Sequence, residues 1–342
     1  MAIFATSGLS GERTGRSGAP QLAADPVSRE IGAAFTSAVA GPLQDLPLPG
    51  GGQTRERWAV LSDLAGRDLS LGRLAEGYAD AVAILAELGG PPAAAGTRWG
   101  VWAAQPPGPR LTASQYGGTW HLHGTKQYCS GAHTCTHALV TATAPDGERL
   151  FAAATDDLVP VPGSWQATGM AASDTMDMLF DDIAAVPVGQ AGDYIGRPGF
   201  AHGGAGVAAC WYGGARAIGA ALLATARQRD IGPHALAHLG AVDIALSYSK
   251  AALDRAAAEI DADPQDQQGF ARARTLRLRA WVEEAASDVM RRVGQALGAG
   301  PLCHDAAHSR RVADLTVYLR QHHAERNLAE LGELVAESGT CW

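Results

Sequence analysis

Cysteine is sparse and unpatterned in this chain. Cys129, Cys135, Cys210, Cys303 and Cys341 are odd in number and include no Cys-x-x-Cys pair, which excludes a disulfide framework and a zinc-finger spacing. Long basic runs are also missing: none exceeds the length of Arg310-Arg311, and 27 Lys+Arg stand against 35 Asp+Glu for a formal net charge of −8. A nucleic-acid binder needs a concentrated positive face, so that class is set aside. No apolar stretch reaches the length of a membrane span, and Met1-Ala2-Ile3-Phe4 followed by polar Gly, Ser and Arg residues lacks the charged-then-apolar order of a secretory signal. A cytoplasmic location with reduced thiols is the expectation. What the chain has is 46% hydrophobic residues over 342 positions, enough to build one large core or two to three ordinary ones.

The periodicity of those apolar residues changes twice. Residues 1–20, rich in Gly, Ser and Arg, read as a flexible arm. From 21 to 95 helical patterns surround Ile31–Phe35 and, more strongly, Leu71, Leu74, Tyr78, Val82 and Leu85, with Asp68 or Ser70 available as cap. Gly89-Gly90-Pro91-Pro92 ends that helix, because proline has no amide to donate and glycine frees the backbone. From 96 to 190 the period becomes two, in Trp99–Trp102, Thr119–His123, Ala138–Val140, Leu150–Ala152 and Thr175–Phe180. Turn clusters such as Pro145-Asp146-Gly147 separate these strands, as in a closed antiparallel barrel or a sandwich. From 191 to 342 four long helices are expected: to about Arg229, through Leu236–Leu253, from about Phe270 to Leu297, and from about Ala306 to Leu331. Their short connections suit an antiparallel bundle. The fold class is therefore α+β, with N-terminal helices, a middle antiparallel β-barrel and a C-terminal four-helix bundle.

Histidines occur in pairs, His121 with His123, His133 with His137 and His304 with His308, but no pair is supplied with a third and fourth ligand. No metal is expected.

Several stretches in this frame resemble the acyl-CoA dehydrogenase family, over residues 70–330. They are Gly124-Thr125-Lys126-Gln127-Tyr128-Cys129-Ser130-Gly131-Ala132, then Gly169-Met170-Ala171 with Ser173-Asp174-Thr175, then Phe180-Asp181-Asp182-Ile183-Ala184-Ala185-Val186-Pro187, and the turn Gln295-Ala296-Leu297-Gly298-Ala299-Gly300. The resemblance implies FAD between barrel and bundle, a small-molecule substrate such as acyl-CoA, α,β-dehydrogenation with hydride transfer to flavin N5, an electron-acceptor flavoprotein as partner, and a homodimer or homotetramer. It assigns Ser130 to the N5 edge and Tyr128 to the aromatic position behind the ring. Backbone contacts near Ala104 and the turn residues Gln295 and Gly298 complete the cofactor set, the turn serving a neighbouring subunit's flavin. A hydroxyl donor at N5 is chemically apt, since reduction places charge on the ring.

The chain also departs from the family. Gln105-Pro106-Pro107-Gly108-Pro109-Arg110 replaces its Glu-Pro-x-x-Gly-Ser-Asp stretch, and Gln228 falls where a pyrophosphate-binding arginine stands, leaving flanking Arg227 or Arg229 for that role or for simple complement of the helix dipole. An ungapped count from Gln295 puts His322 where many members carry the catalytic glutamate, with Glu325 one turn on. A neutral imidazole can accept a proton near physiological pH, so His322 is the candidate base. Histidine here with a hydroxyl near N5 also resembles flavin-dependent monooxygenases of the same fold. A flavin- or partner-binding scaffold without catalysis is the third alternative.

Overall fold

The computed structural model describes residues 24–108 and 110–338, so the expected arm at 1–20 and Cys341 lie outside the described residues. Among the described residues three helices come first: α1 (Pro26–Val39), α2 (Thr54–Arg67) and α3 (Leu69–Glu87). Asp25 caps α1 by accepting from the amides of Val27 at 2.9 Å and Ser28 at 3.2 Å, with Pro26 preset in the first turn. Asp68 caps α3 through the amides of Ser70 and Leu71. The helix α2 is absent from the sequence expectation, although Trp58, Leu61, Leu64 and Ala65 form its buried stripe; the charged residues between them mask the spacing.

Seven strands follow: β1 (Trp99–Trp102), β2 (Thr112–Tyr116), β3 (Thr119–Cys129), β4 (His137–Ala144), β5 (Gly147–Ala154), β6 (Val159–Val161) and β7 (Met176–Val188). The ring β4-β2-β3-β7-β5 closes because β5 also pairs β4; β1 adds to β4 and β6 to β7. Most ladders are antiparallel, whereas β1 and β2 run parallel to β4. Leu122, Leu139, Leu150 and Phe151 on these strands are almost wholly buried.

The remaining elements are α4 (Asp193–Gly196), α5 (Pro198–Gln228), α6 (Gly232–Ala262), α7 (Ala271–Leu297), α8 (Gly300–His304), α9 (Ala306–Tyr318) and α10 (Ala324–Glu337). By length and composition α5 could cross a membrane, but 61% of its apolar window is buried inside the protein. It is the bundle's core helix, with Trp211 fully covered. A side chain at Gly213 would collide with the carbonyl oxygen of Ser62, so glycine is what lets α5 lie directly on α2.

The single helix expected from Ala306 to Leu331 is two. After α9 the chain makes a 3-10 turn over Leu319–Gln321, becomes extended at His322 (φ −90°, ψ 125°) and restarts as α10. No glycine or proline marks this break. Its cause is tertiary: the guanidinium of Arg279 on α7 donates to the Gln321 carbonyl at 2.7 Å, supplying a partner that a continuous helix would otherwise provide.

Candidate active site

Helix α3, the exit of β1, the end of β3 and the turn after α9 enclose a cleft with two adjoining lobes of about 760 and 570 Å³. Both volumes fall in the range of roughly 300–1,000 Å³ usual for cofactor and small-molecule sites. Glu76, Asp80, Ala104, Gln105, Tyr194 and His323 line both lobes.

The larger lobe is built by the barrel. Tyr128 adopts a left-handed backbone (φ 60°), and the pairing of β3 with β7 shifts register between Lys126 and Cys129. This irregularity re-aims successive side chains. Tyr128 becomes half exposed on the lobe's rim, where its ring meets Trp165 edge-on, while Ser130 is buried in the wall. Trp102 Nε1 donates to the Ser130 carbonyl at 3.0 Å and fixes its backbone. Its hydroxyl lies 2.9 Å from that of Thr175, which is 2.7 Å from that of Ser173, and Ser173 donates to the Met170 carbonyl at 2.7 Å. Asp314 in turn accepts from the Met170 amide at 2.6 Å, and burial pushes its carboxyl up to about 6.

Two groups behind this wall are inert packing. Lys126 donates to Thr141 O at 2.9 Å and Thr141 Oγ1 at 2.7 Å, and burial lowers its ammonium to about 8. Cys129 is fully covered, donates to the Lys126 carbonyl, and is held as a thiol because burial pushes it well up. A redox role for Cys129 does not fit that position.

The smaller lobe is charged, and its Glu76 and Asp80 are shared with the larger lobe, which Arg73 lines. Arg73, Glu76 and Asp80 recur at three and four residues along α3, forming one polar stripe on an otherwise buried helix. Glu76 pairs with Arg73 at 2.8 Å, while Arg197 approaches Asp80 only to 3.9 Å because it is engaged with Glu87 at 2.7 Å. Burial raises both carboxyls above their usual range, opposed chiefly by Arg73 at Glu76 and by Arg197 at Asp80. Asp80 Oδ1 finds no hydrogen-bond partner among the described residues. Arg272, Arg279 and Glu148 also face this lobe.

Of the residues singled out from sequence, Ala104, Tyr128 and Ser130 come together in the larger lobe. His322 does not join them. Its imidazole is buried, its amide donates to the Leu319 carbonyl at 2.9 Å, and its pKa is lowered by burial and then by Arg279. The neighbouring His323 is exposed and lines both lobes, its amide donating to Asn327 Oδ1 at 2.8 Å. Extended backbone at residue 322 turns adjacent side chains to opposite sides, so His322 packs inward while His323 meets the cleft. Arg229 follows the end of α5, Gln295 lies in the last turn of α7, and Gly298 ends α7 at φ 68°; none of the three lines either lobe, nor does Glu325. The acids of α3 were missing from the sequence reading, although their polar stripe was legible. Among the described residues no group of three or more His, Cys, Asp or Glu side chains could hold a metal ion.

This helix–barrel–bundle arrangement, with its cleft at the junction, is the acyl-CoA dehydrogenase fold. No family model matches the chain, and no curated protein matches it. Among solved structures, TdsC from Paenibacillus sp. A11-2, a complex with FMN and indole, is similar at TM-score 0.72 and 18% identity, over 90% of this chain and 95% of that one. A glutaryl-CoA dehydrogenase from Mycobacterium smegmatis in complex with FADH2 is similar at 0.71 and 15%, over 93% and 96%. KijD3 in complex with FMN and dTDP-3-amino-2,3,6-trideoxy-4-keto-3-methyl-D-glucose is similar at 0.71 and 18%, over 93% and 95%. At these identities the likeness establishes the fold.

Proposed function

We propose that this chain is a flavin-dependent oxidoreductase acting on a compact polar substrate, with the flavin ring in the larger lobe and the substrate in the charged one. The observation that carries this is the pairing of the two lobes: beside the Glu76 and Asp80 wall that both share, the larger lobe has the hydroxyls of Ser130, Ser173 and Thr175 with apolar Val101, Trp165 and Met170, and the smaller has Glu148, Arg149, Arg272 and Arg279. A flavin has flat apolar faces and a polar edge, and the first lobe offers both kinds of contact. Ser130 would meet the ring's edge, Tyr128 and Ala104 would border it, and Arg326 offers positive charge for a phosphate. Bound flavin supplies hydride acceptance or, once reduced, electron delivery to dioxygen.

Oxygen-using chemistry is the reading favoured here. Residue 322 is turned away from the cleft, and a lobe lined by Glu76, Asp80, Arg272 and Arg279 is ill-suited to an acyl chain, since charges desolvated by apolar substrate lose water without gaining a partner. In this reading His323, on the rim of both lobes, holds or delivers a proton to the bound substrate. One observation favours the second reading, dehydrogenation of an acyl thioester: Asp80 is a cleft carboxylate with raised pKa and an unpartnered oxygen, the properties of a general base. The acyl-CoA substrate, the electron-acceptor flavoprotein, FAD as the form bound and a homodimer or homotetramer belong to the resemblance and are proposals with it; a cytoplasmic site, read from composition, is likewise a proposal.

Purified protein incubated with FMN or FAD and freed of excess tests the flavin assignment; protein that stays colourless with both overturns it. Anaerobic addition of butyryl-CoA then separates the chemistries. Bleaching of the bound flavin supports dehydrogenation, whereas an unchanged spectrum, with the dithionite-reduced protein consuming oxygen, supports oxygenation.

A further inference from the structure

The charged groups of the smaller lobe are unequally occupied. Its guanidiniums are engaged: Arg149 donates to Asp146, Arg272 to Glu330, and Arg279 to the carbonyls of Gly204 at 2.8 Å and Gln321 at 2.7 Å. Glu148 is engaged too, accepting from Thr143 on one oxygen and Gln105 on the other. Asp80 differs. Its Oδ1 has no hydrogen-bond partner among the described residues, no hydrogen bond reaches Oδ2, and the nearest guanidinium, of Arg197, stands 3.9 Å away. Arg57 and Arg73 act on it only from farther off, and burial outweighs all three cations. Glu76 accepts from Arg73 on Oε2 and leaves Oε1 open. Both carboxylates line both lobes, so these open acceptors sit at the junction, beside the place proposed for the flavin ring. A side chain at Gly203 would stand 2.4 Å from Asp80 Oδ1, so glycine on α5 keeps the carboxylate uncrowded.

We propose that the substrate is an amine, held in its ammonium form by Asp80 and Glu76 at the junction of the two lobes, with Asp80 the residue that sets this specificity. The inference rests on the flavin reading above. An ammonium carries three donors and no acceptor, and Asp80 with Glu76 Oε1 offers it three open oxygens. A neutral alcohol brings one donor and leaves buried acceptors unfilled. A carboxylate brings none, meets Asp80 as a like charge, and finds the arginines of the lobe already bound to other acceptors. The carbon skeleton of the amine has its own surface, since Tyr194, Phe200, Val207 and Leu276 also line this lobe, and the aromatic rings favour a nearby cation.

The probes are benzylamine, benzyl alcohol and benzoate, which share one ring and differ in charge, titrated calorimetrically at neutral pH into protein loaded with FMN or FAD. Benzylamine is expected to bind about tenfold more tightly than either of the others. Asp80→Asn, with flavin still bound, is expected to bring benzylamine to the affinity of benzyl alcohol. Glu76→Gln keeps Asp80 and is expected to narrow the preference severalfold, which gives a second reading where Asp80→Asn loses its flavin. Three results with flavin bound overturn the amine assignment and leave the flavin reading in place: benzyl alcohol or benzoate binding as well as benzylamine, an amine preference that the variants retain in full, or no binding of any probe below about 10 mM. A wild-type protein that takes up neither flavin overturns the amine assignment together with the reading it rests on.

Discussion

Arg279 donates to the main-chain carbonyl of Gln321 at 2.7 Å, while its guanidinium lies 4.6 Å from the centre of the Trp211 ring. That contact joins the core of the bundle to the turn on which His322 faces inward and His323 faces the cleft. Burial lowers the guanidinium to about 10, and its other donor bond goes to the Gly204 carbonyl at 2.8 Å. Arg279→Ala is expected to destabilise the fold by roughly 2–4 kcal/mol, since two carbonyls lose their donor and a stacked cation is removed. Urea denaturation measures this; a change under about 0.5 kcal/mol would show that the turn holds itself.

His323→Ala is expected to reduce substrate-dependent turnover at least tenfold with little change in thermal stability, because this imidazole is exposed on the cleft rim. His322→Ala is expected to do the reverse, costing about 1–3 kcal/mol by leaving a hole beneath the turn while flavin chemistry persists. Steady-state rates and melting curves for the two variants check the pair. Loss of turnover in His322→Ala with unchanged stability would return the base to residue 322.

Asp80→Asn separates the two proposed chemistries. Where Asp80 acts as base, the amide is expected to lower the rate of thioester-driven flavin bleaching at least a hundredfold while flavin affinity stays unchanged. Where the flavin works with oxygen, the same variant is expected to weaken substrate binding and leave oxygen consumption by the reduced protein intact. Stopped-flow spectra with butyryl-CoA and an oxygen electrode read the two outcomes.

Stability should depend on pH through Asp314. Its carboxyl is raised from 3.8 to about 6 by burial, so the folded state binds this proton more tightly than the unfolded chain. The contribution is fully present below the unfolded value and is lost as pH rises through about 6. Asp314→Asn retains an acceptor for the Met170 amide and removes the titration. The fall in unfolding free energy between about pH 4.5 and pH 7.5 is expected to be smaller in the variant by on the order of 1–2 kcal/mol, allowing for partial solvent screening. Superimposable pH profiles would contradict this.

FAD and FMN can be told apart at the far end of α7. If Gln295 and the turn at Gly298 meet the adenine half of a cofactor across a subunit contact, Gln295→Ala is expected to weaken FAD uptake severalfold and leave FMN uptake unchanged. Fluorescence titration with each flavin decides this. The same proposal requires self-association, for which the exposed Leu236, Ile244 and Tyr248 on α6 offer apolar surface. Light scattering at micromolar concentration that finds only monomer would remove it.

The order of helices, barrel and bundle was legible in the sequence because period 2 and period 3.6 are local properties, and because Gly-Gly-Pro-Pro at 89–92 interrupts the backbone whatever surrounds it. The run from Lys126 to Ala132 likewise carried Ser130 to the cleft wall, since a strand end and its turn depend on neighbouring residues. The facing of His322 and His323 was not legible. The break between α9 and α10 has no punctuating residue and follows from Arg279, some forty positions earlier. The same holds for the charged lobe: Glu76 and Asp80 are four apart on a helix in any reading, but only the packing of α3 against α5 and the barrel makes their stripe a cleft wall. Sequence determined the order of helices, barrel and bundle and the larger lobe's serine; tertiary packing decided where the last helix breaks and which polar groups share the cleft, because burial and partnership are properties of residues distant in the chain.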